Sequence, residues 1–298
     1  MRTLSYILLL LPLLFSCRRE KDQASEEQAE LAADDAMITR ETDQALDDAN
    51  DVLTTSRYGD GSSSSLCGIT VDSTEIATGK ITLNFDGSTC FLGTRKREGK
   101  ISIRFSPVGG KWSDAGAQIK LTFFNFKVTR ISDNKSIVLN GSKSITNTSG
   151  GLIRQLTAIS DPVVHSIRAD LSIEFEDGTL RSWRVARKRT ASISGGYFQI
   201  QHEGDTAVGG YKLVTSWGTT RKGSVFYVCT EAPLVYTTQC FRKAKSGALK
   251  VYTIYRTFTI TLGIDENGDP DQDTCPYGYK VEWTNDRNQE KMKVVEYR

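Results

Sequence analysis

Hydrophobic residues after about residue 66 recur at every second position, which is the period of a strand with one buried face. Ile81, Leu83 and Phe85 set the pattern. It recurs in the segments 101–105, 119–123, 171–175 and 252–262, the last being a long strand broken only by Arg256. Turn pairs separate the strands at Asp86-Gly87, Asn140-Gly141, Asp177-Gly178 and Gly209-Gly210. The pattern predicts an all-β domain, an antiparallel sandwich or a barrel-like meander.

Residues 26–53 follow the period of a helix instead. They lack Pro and Gly, and their sparse apolar residues form one stripe among acidic side chains, which predicts an N-terminal amphipathic helix. The stripe consists of Leu31, Ile38, Ala45, Leu46, Ala49, Val52 and Leu53. Because the stripe is thin, we expect the helix to dock lightly on the body or on a partner, or to act as a stiff spacer. The serine run Ser62–Ser65 predicts a flexible joint.

The first sixteen residues have the features of an export signal. Arg2 supplies a positive start, a leucine-rich run from Leu8 to Phe15 follows, and Ser16-Cys17 closes the segment. This run is too short for a stable membrane span. Its end resembles a bacterial lipobox, which implies that Cys17 is lipidated and becomes the first residue of the mature chain. An ordinary signal peptide that happens to contain Cys17 is the alternative.

Charge is distributed unevenly along the chain. Residues 18–60 carry 13 acidic and 5 basic side chains, whereas residues 61–298 carry 23 acidic and 32 basic ones. A basic body favours anionic partners such as envelope polysaccharide or lipid headgroups. The alternative is that the basic residues serve solubility and compensate for the acidic leader. The export signal argues against a nucleic-acid partner.

Five cysteines follow Cys17 in the sequence, an odd number. We predict disulfides between Cys67 and Cys90 and between Cys240 and Cys275, because each pair brackets one strand-rich stretch and export permits oxidation. Cys229 is then a buried free thiol. A bridge from Cys229 to Cys240 is the open alternative, since only ten residues separate them.

An acidic loop precedes Cys275. Oxygen-bearing side chains recur at alternate positions, and this spacing suits calcium, whose coordination is flexible. The residues are Asp265, Asn267, Asp269, Asp271 and Asp273. The loop resembles the Asp-rich loops of thrombospondin type 3 repeats, but it does not follow the EF-hand pattern. The alternative to a calcium site is a solvated, turn-forming loop.

A basic stretch in the middle of the chain is the second candidate site. On a strand, Arg181, Trp183, Arg187 and Arg189 share one face, and such a mixture of guanidinium groups with an aromatic ring suits binding to sugars or phosphates. A solvent-facing strand whose long side chains cover apolar surface explains the stretch equally well.

Signatures of catalysis are lacking in the sequence. The only histidines, His165 and His202, lie in polar stretches with no nucleophile elbow nearby. Glu174, Glu176 and Asp177 lie on one predicted hairpin and could pair as in glycoside hydrolysis, but acids at neighbouring strand positions usually face water. We predict that the chain is not an enzyme.

Several strand and turn motifs resemble a group of uncharacterised Bacteroidota lipoproteins. The motifs are residues 79–85 with Cys90, 95–101, 140–148, Pro233-Leu234 with Cys240, and Asp269 with Cys275. The resemblance covers most of residues 67–298 and implies an exported β-rich lipoprotein. Cys229 and the longer acidic loop depart from the pattern.

Together these features predict three segments. Residues 1–16 form the signal peptide, 17–65 the acidic helix and joint, and 66–298 the β domain. A faint internal repeat would divide this domain into two related meanders at about 66–150 and 165–298, and chance similarity among hairpins is the alternative. The predicted protein is attached to a membrane by a lipid anchor outside the cytoplasm and acts as a non-catalytic interaction or binding module. Its partners would be envelope polysaccharide or another envelope protein. The alternatives are a calcium-stabilised glycan-binding lipoprotein and a carbohydrate-active enzyme.

Overall fold

A computed structural model describes residues 23–54, 68–89, 93–240, 243–254, 256–271, 275–285 and 287–297. One long α-helix precedes fourteen strands in this part of the chain. The helix α1 spans Gln23–Thr54, and short 3-10 turns lie at Ile76–Thr78 and Ile153–Gln155. The strands are β1 Ile69–Asp72, β2 Lys80–Asp86, β3 Arg95–Ser106, β4 Gln118–Arg130, β5 Ser136–Asn147, β6 Val163–Phe175, β7 Leu180–Ser194, β8 Tyr197–Gly204, β9 Val214–Thr219, β10 Val225–Thr237, β11 Ala244–Thr253, β12 Thr257–Ile264, β13 Gly278–Thr284 and β14 Glu290–Glu296.

The strands form one antiparallel sheet in which almost every strand pairs with its neighbours in the chain. This meander, with its single N-terminal helix, confirms the predicted all-β fold class. The two predicted meanders adjoin within the sheet, because β5 pairs with β6 along eleven positions from Ile137↔Phe175 to Asn147↔His165.

One position in the sheet is shared by two short strands. β9 pairs with the first half of β7 at Trp183–Val185, and β8 pairs with its second half from Arg187 onward. β10 pairs with the same two strands on the other side. The chain leaves the sheet after β8 ends at Gly204 and returns at Val214, where β9 begins. Only glycine fits at position 204, because a Cβ there would lie 1.9 Å from the backbone oxygen of Leu213.

The helix packs on one face of the sheet and belongs to its hydrophobic core. Five residues of the predicted stripe are buried, and they join strand residues such as Leu83, Ile103 and Trp183 in one cluster. The five are Leu31, Ile38, Ala45, Leu46 and Ala49. The expectation of light docking is therefore wrong, because α1 shields apolar strand residues that would otherwise face water. The Ser62–Ser65 joint lies outside the described residues.

Two predicted strand boundaries are also wrong. Asn140-Gly141 lies inside β5 and not at a turn, and Gly141 (φ 120°) is needed there because a Cβ would lie 2.3 Å from the backbone oxygen of Asp170. The predicted long strand at 252–262 is a hairpin, in which Thr253 N donates to Arg256 O at 2.8 Å. The turns at Asp177-Gly178 and Gly209-Gly210 are confirmed.

Candidate functional site

The basic strand predicted as a binding face is β7, and its register places the four predicted residues on one face of the sheet. That face turns toward α1 and not toward solvent. Arg181 and Trp183 are each 1% exposed, and Arg187 is also buried. Three of the four residues contact a single carboxylate of the helix, Asp35.

Asp35 is the centre of this buried contact. Its Oδ1 accepts hydrogen bonds from Trp183 Nε1 at 2.6 Å, Ser216 Oγ at 3.2 Å and Arg181 Nη2 at 3.3 Å. Its Oδ2 accepts from Arg187 Nη2 at 3.5 Å. Burial lowers the pKa of Arg181, whereas Asp35 and then Asp34 oppose that shift. The helix thus satisfies donors that the sheet could not bury alone.

Further ion pairs continue along the helix. Arg221 binds Asp34 through both side-chain oxygens, at 2.6 and 2.9 Å. Arg95 Nε lies 2.6 Å from Glu41, and Arg97 Nη1 lies 2.7 Å from Asp48. The acidic leader and the basic body therefore compensate each other inside the fold, and the basic composition does not by itself indicate an external anion.

Beyond Asp35, polar and titratable side chains from six elements meet in what we call the interior cluster. It is defined by Asp43 on α1, Lys143 on β5, His165 on β6, Arg187 and Arg189 on β7, His202 on β8 and Tyr236 on β10. Contacts connect its members across the sheet. Lys143 pairs with Asp43, Arg189 Nη2 lies 2.7 Å from His165 Nδ1, and the rings of His202 and Tyr236 are 5.6 Å apart.

Several members of the cluster keep part of their surface accessible to solvent. The Asp43 side chain is 37% accessible, and Arg189, His202 and Tyr236 are half-buried. Burial nevertheless has the largest single effect on the pKa of Asp43, which Lys143 and its neighbours hold below the usual value. Desolvation and the nearby charges, with Lys143 first among them, therefore act on the Asp43 pKa in opposite directions, and the charges together outweigh the burial.

Charges of both signs act on His202. Burial lowers its pKa to about 3, so the ring is neutral; among the described residues Asp43 opposes this shift and three cations add to it. The cations are Lys143, Arg187 and Arg189. Arg187 also contacts Asp35, but that carboxylate is shared with Arg181.

His165 has a defined tautomer. Because Arg189 can only donate, His165 Nδ1 must accept, and the ring proton lies on Nε2. Burial lowers the pKa of His165 to about 3, with a further contribution from Arg189. His165 is 1% exposed, and the ring centroids of Trp112 and His165 are 5.1 Å apart. His165 Nε2 has no hydrogen-bond partner within the described residues.

Sequence reasoning missed Asp43, Lys143 and Tyr236, and it treated both histidines as residues of polar stretches. Only strand register brings them together: His165 pairs with Arg189, and Arg189 pairs with His202. One signal was available in the sequence. The net charge of residues 18–60 is negative, and that of residues 61–298 is positive and of similar magnitude, which suits contact between the two segments.

The predicted calcium loop forms turns instead of a converging set of ligands. Asp265 Oδ1 accepts from the backbone N–H groups of Asn267 and Asp269, each at 2.9 Å, and Asp271 Oδ2 accepts from Tyr277 N at 3.3 Å. The described residues contain no group of three or more side chains able to hold a metal ion. Asp273 lies outside the described residues. This geometry favours the turn-forming alternative.

The cysteines agree with the prediction where they are described. Cys240 and Cys275 form a disulfide with Cα atoms 5.1 Å apart, and Cys229 is a buried free thiol. The alternative bridge from Cys229 to Cys240 is therefore wrong. Cys67, Cys90 and the predicted lipidation site Cys17 lie outside the described residues.

A concavity lies at the far end of the sheet, on β12, β13 and β14. It has a volume of about 470 Å³ and opens to solvent. Polar residues make up six of the nine that line it: Thr257, Thr259, Glu282, Thr284, Glu290 and Lys291. Trp283, which also lines it, is largely withdrawn into the core.

Comparison with protein-family models, with characterised proteins and with solved structures finds no match to this chain. Among the described residues, α1 is the only long helix, and its composition is not that of a membrane-spanning segment.

Proposed function

We propose that this protein is a lipid-anchored binding module of the cell envelope, held outside the cytoplasm through Cys17, which receives a ligand at the interior cluster without chemical conversion. The observation that carries the proposal is the interior cluster, in which polar and aromatic side chains from six elements meet and Asp43, Arg189, His202 and Tyr236 keep part of their surface accessible. Such convergence is typical of ligand sites.

Two features support the exported location. The N-terminal segment has the order of a signal followed by a lipobox-like Cys17. The Cys240–Cys275 disulfide suits an oxidising compartment, where such bonds persist. The helix α1 begins at Gln23, six positions after Cys17 in the sequence, so an anchor at Cys17 would hold the body close to the membrane.

The anchor is tested by fractionation of cells that express the full chain. We expect the wild-type protein in the membrane fraction and in the detergent phase, and Cys17→Ala in the soluble fraction, because acylation of that sulfur supplies the attachment. Cys229→Ala is the matched control and should remain with the membrane. Retention of Cys17→Ala in the membrane fraction would contradict the anchor.

The binding role is tested with the mature chain and fractionated envelope glycans and lipids. We expect a retained component to slow hydrogen exchange in β7, β8 and β10 and to be recovered with unchanged mass. Tyr236→Ala should weaken retention, whereas Tyr197→Ala, which changes a tyrosine that is 47% exposed, should not. Protection elsewhere, or a ligand recovered in altered form, would overturn the proposal.

A further inference from the structure

We infer that the outer face of the sheet, on strands β9 to β13, binds a neutral oligosaccharide against a row of aromatic rings. The inference goes beyond the proposed function, because this face is turned away from α1 and is formed by residues outside the interior cluster. It is carried by two observations, the alignment of the rings and the polar concavity that continues their row.

Strand register aligns the rings in what we call the aromatic row, which consists of Trp217, Tyr227 and Tyr252. Trp217 on β9 pairs with Tyr227 on β10, and Tyr227 pairs with Tyr252 on β11. Directly paired residues share one face of a sheet, and neighbouring strands are about 4.8 Å apart. This spacing is close to the length that one sugar unit adds to an extended chain.

The aromatic row points away from α1. Side chains alternate between the two faces of a strand, and the residues that directly precede the three rings are buried in the interior: Ser216, Phe226 and Val251. The rings themselves are only half-buried. Each therefore keeps part of its surface accessible on the outer face.

Tyr211 adds a fourth, half-buried ring from the connection between β8 and β9. Its ring centroid lies 4.2 Å from that of Tyr252 and 5.0 Å from that of Tyr227. The Gly209-Gly210 turn permits this approach, because a Cβ on Gly209 would lie 2.8 Å from the Tyr227 ring. Since Tyr211 covers part of both rings, a ligand would meet Tyr211 together with Trp217.

The concavity on β12, β13 and β14 continues the aromatic row, because Tyr252 pairs with Thr257 at its edge. Phe258 and Trp283 also line it, but they are 2% and 9% exposed and belong to the core. The residues that alternate with these two therefore point to the outer face: Thr257, Thr259, Glu282 and Thr284. Hydroxyl and carboxylate oxygens thus stand beside the rings.

Charges along this surface are balanced. Three ion pairs flank it: Arg184–Asp170 at 3.3 Å, Lys250–Glu231 at 3.5 Å and Lys280–Glu282 at 3.1 Å. Glu290 and Lys291, which line the concavity, are opposite in sign. A surface without a dominant charge does not attract a polyanion and suits a neutral ligand.

An oligosaccharide matches this combination of groups. The C–H groups on one face of a sugar pack against aromatic rings, and the sugar hydroxyls at its edge bond to threonine and carboxylate oxygens. From Trp217 on β9 to Glu282 on β13 the surface crosses five adjacent strands, or about 19 Å. Several sugar units are needed to cover that length.

A protein partner is the competing occupant, because Val225 is 41% exposed on the same face as Tyr227. The core of a protein interface, however, is depleted of charged residues, whereas Glu282 stands in the concavity. The ring and hydroxyl groups therefore favour the saccharide. Self-association of the chain that Trp217→Ala abolishes, with no saccharide bound, would overturn the inference in favour of a protein contact.

The experiment measures binding of soluble saccharides to the mature chain by titration calorimetry. The neutral probes are linear hexamers of glucose, of mannose and of N-acetylglucosamine, and a hexamer of galacturonate is the anionic comparison. We expect at least one neutral hexamer to bind about tenfold or more tightly than its monosaccharide, and the galacturonate hexamer not to bind. Failure of every neutral hexamer at millimolar concentration would overturn the inference.

Variants of the aromatic row test where the hexamer binds. Trp217→Ala should weaken binding about tenfold, because one stacked ring is lost, whereas Trp217→Tyr keeps a ring and should stay within about threefold of the wild type. Phe124→Ala is the matched control, since Phe124 is an aromatic residue of β4 that is 52% exposed. Equal affinity of Trp217→Ala and the wild type would contradict the assigned surface.

A second measurement uses the wild-type protein and is independent of variant stability. In hydroxyl-radical footprinting, we expect the bound hexamer to protect Tyr211 and Trp217 from oxidation and to leave Phe124 and the 47% exposed Tyr197 unchanged. Protection of Tyr236 in place of Tyr211 and Trp217 would locate the saccharide at the interior cluster and overturn the inference.

The outcomes separate this inference from the proposed function. Tyr236→Ala should leave hexamer binding unchanged, because Tyr236 belongs to the interior cluster. If an envelope component protects β7, β8 and β10 while no hexamer binds, the proposed binding site stands and the saccharide surface is wrong. If a hexamer protects Tyr211 and Trp217 while nothing is retained at the interior cluster, the reverse holds.

Discussion

Individual residues in the interior of this protein are defined mainly by polar contacts across the helix–sheet boundary. Asp35 accepts hydrogen bonds from four side chains that belong to β7 and β9. Removing a buried charge that has several partners lowers the free energy of unfolding far more than removing a surface charge.

Asp35→Asn should therefore destabilise the protein strongly. We expect the free energy of unfolding to fall by about 3–5 kcal/mol, because Arg181 and Arg187 would face an amide in place of a carboxylate. Asp133→Asn is the matched control, since its pair with Arg130 is exposed to solvent and should contribute little to stability. Urea unfolding at pH 7 measures both, and equal effects would contradict the central role of Asp35.

The two histidines predict how stability depends on pH. Burial lowers the pKa of both to about 3, against about 6.5 in an unfolded chain. Below pH 6.5 the unfolded chain takes up protons that the folded protein does not, so the free energy of unfolding falls as the pH decreases from 6.5 toward 3. His165 should account for about 2 kcal/mol between pH 6.5 and 5, and the half-buried His202 for less.

The measurement is urea unfolding at several pH values between 7.5 and 5. A variant with His165→Gln and His202→Gln has no histidine and should lose most of this slope, whatever its absolute stability. Asp43, whose pKa lies below its usual value, adds its own loss of stability only at lower pH. An unchanged slope in the double variant would show that the imidazoles are protonated in the folded protein.

At the scale of elements, α1 is an integral layer of the fold. Its buried faces combine apolar residues with acids, which explains why the apolar stripe looks thin in the sequence. Asp34, Glu41, Thr42 and Asp48 are buried beside Leu31 and Ile38. An amphipathic helix that meets a basic sheet can bury carboxylates without loss, provided that each has a cationic partner.

Ile38→Ala should lower the free energy of unfolding by about 2–5 kcal/mol, because Ile38 is 0% exposed and its removal leaves a cavity. Ile159→Ala is the matched control, since Ile159 is 97% exposed and should change stability little. A chain that lacks residues 18–60 should lose cooperative unfolding for the same reason. Cooperative melting of that chain at the wild-type temperature would show that α1 is a separate spacer.

At the scale of the whole molecule, a long meander has few contacts between distant parts of the chain, because each strand pairs mainly with the next. Two features oppose this. The helix crosses the sheet from Arg221 before β10 to Arg97 on β3, and the Cys240–Cys275 disulfide joins the connections that precede β11 and β13.

Loss of that disulfide should destabilise the C-terminal strands. For a bond that joins residues 35 apart in sequence, restriction of the unfolded chain is worth about 3–4 kcal/mol. Cys240→Ser with Cys275→Ser should lose this amount in urea unfolding, whereas Cys229→Ala should lose less. Non-reducing peptide mapping of the wild type should recover the Cys240–Cys275 peptide, and a Cys229–Cys240 peptide would contradict the structure.

Much of the fold follows from the sequence alone, because it depends on local periodicity. The element types follow from two patterns, the alternation of Ile81, Leu83 and Phe85 and the helical stripe through Leu31 and Ile38. Each pattern shows which side of a strand or helix avoids water. The pair Asp177-Gly178 correctly predicts a turn. The pattern failed at Gly141, where a glycine serves close approach of a neighbouring strand instead of a turn.

The candidate site was decided by tertiary structure. The sequence placed Arg181, Trp183, Arg187 and Arg189 on one face, but it could not state what that face meets, because exposure depends on which element covers it. In the interior cluster, Asp43 on α1 pairs with Lys143 on β5, one hundred residues later in the chain. This pairing depends on strand register and on the course of α1, and local periodicity predicts neither of them. The acidic and basic residues that lie in separate segments of the sequence therefore become partners only when the helix packs on the sheet.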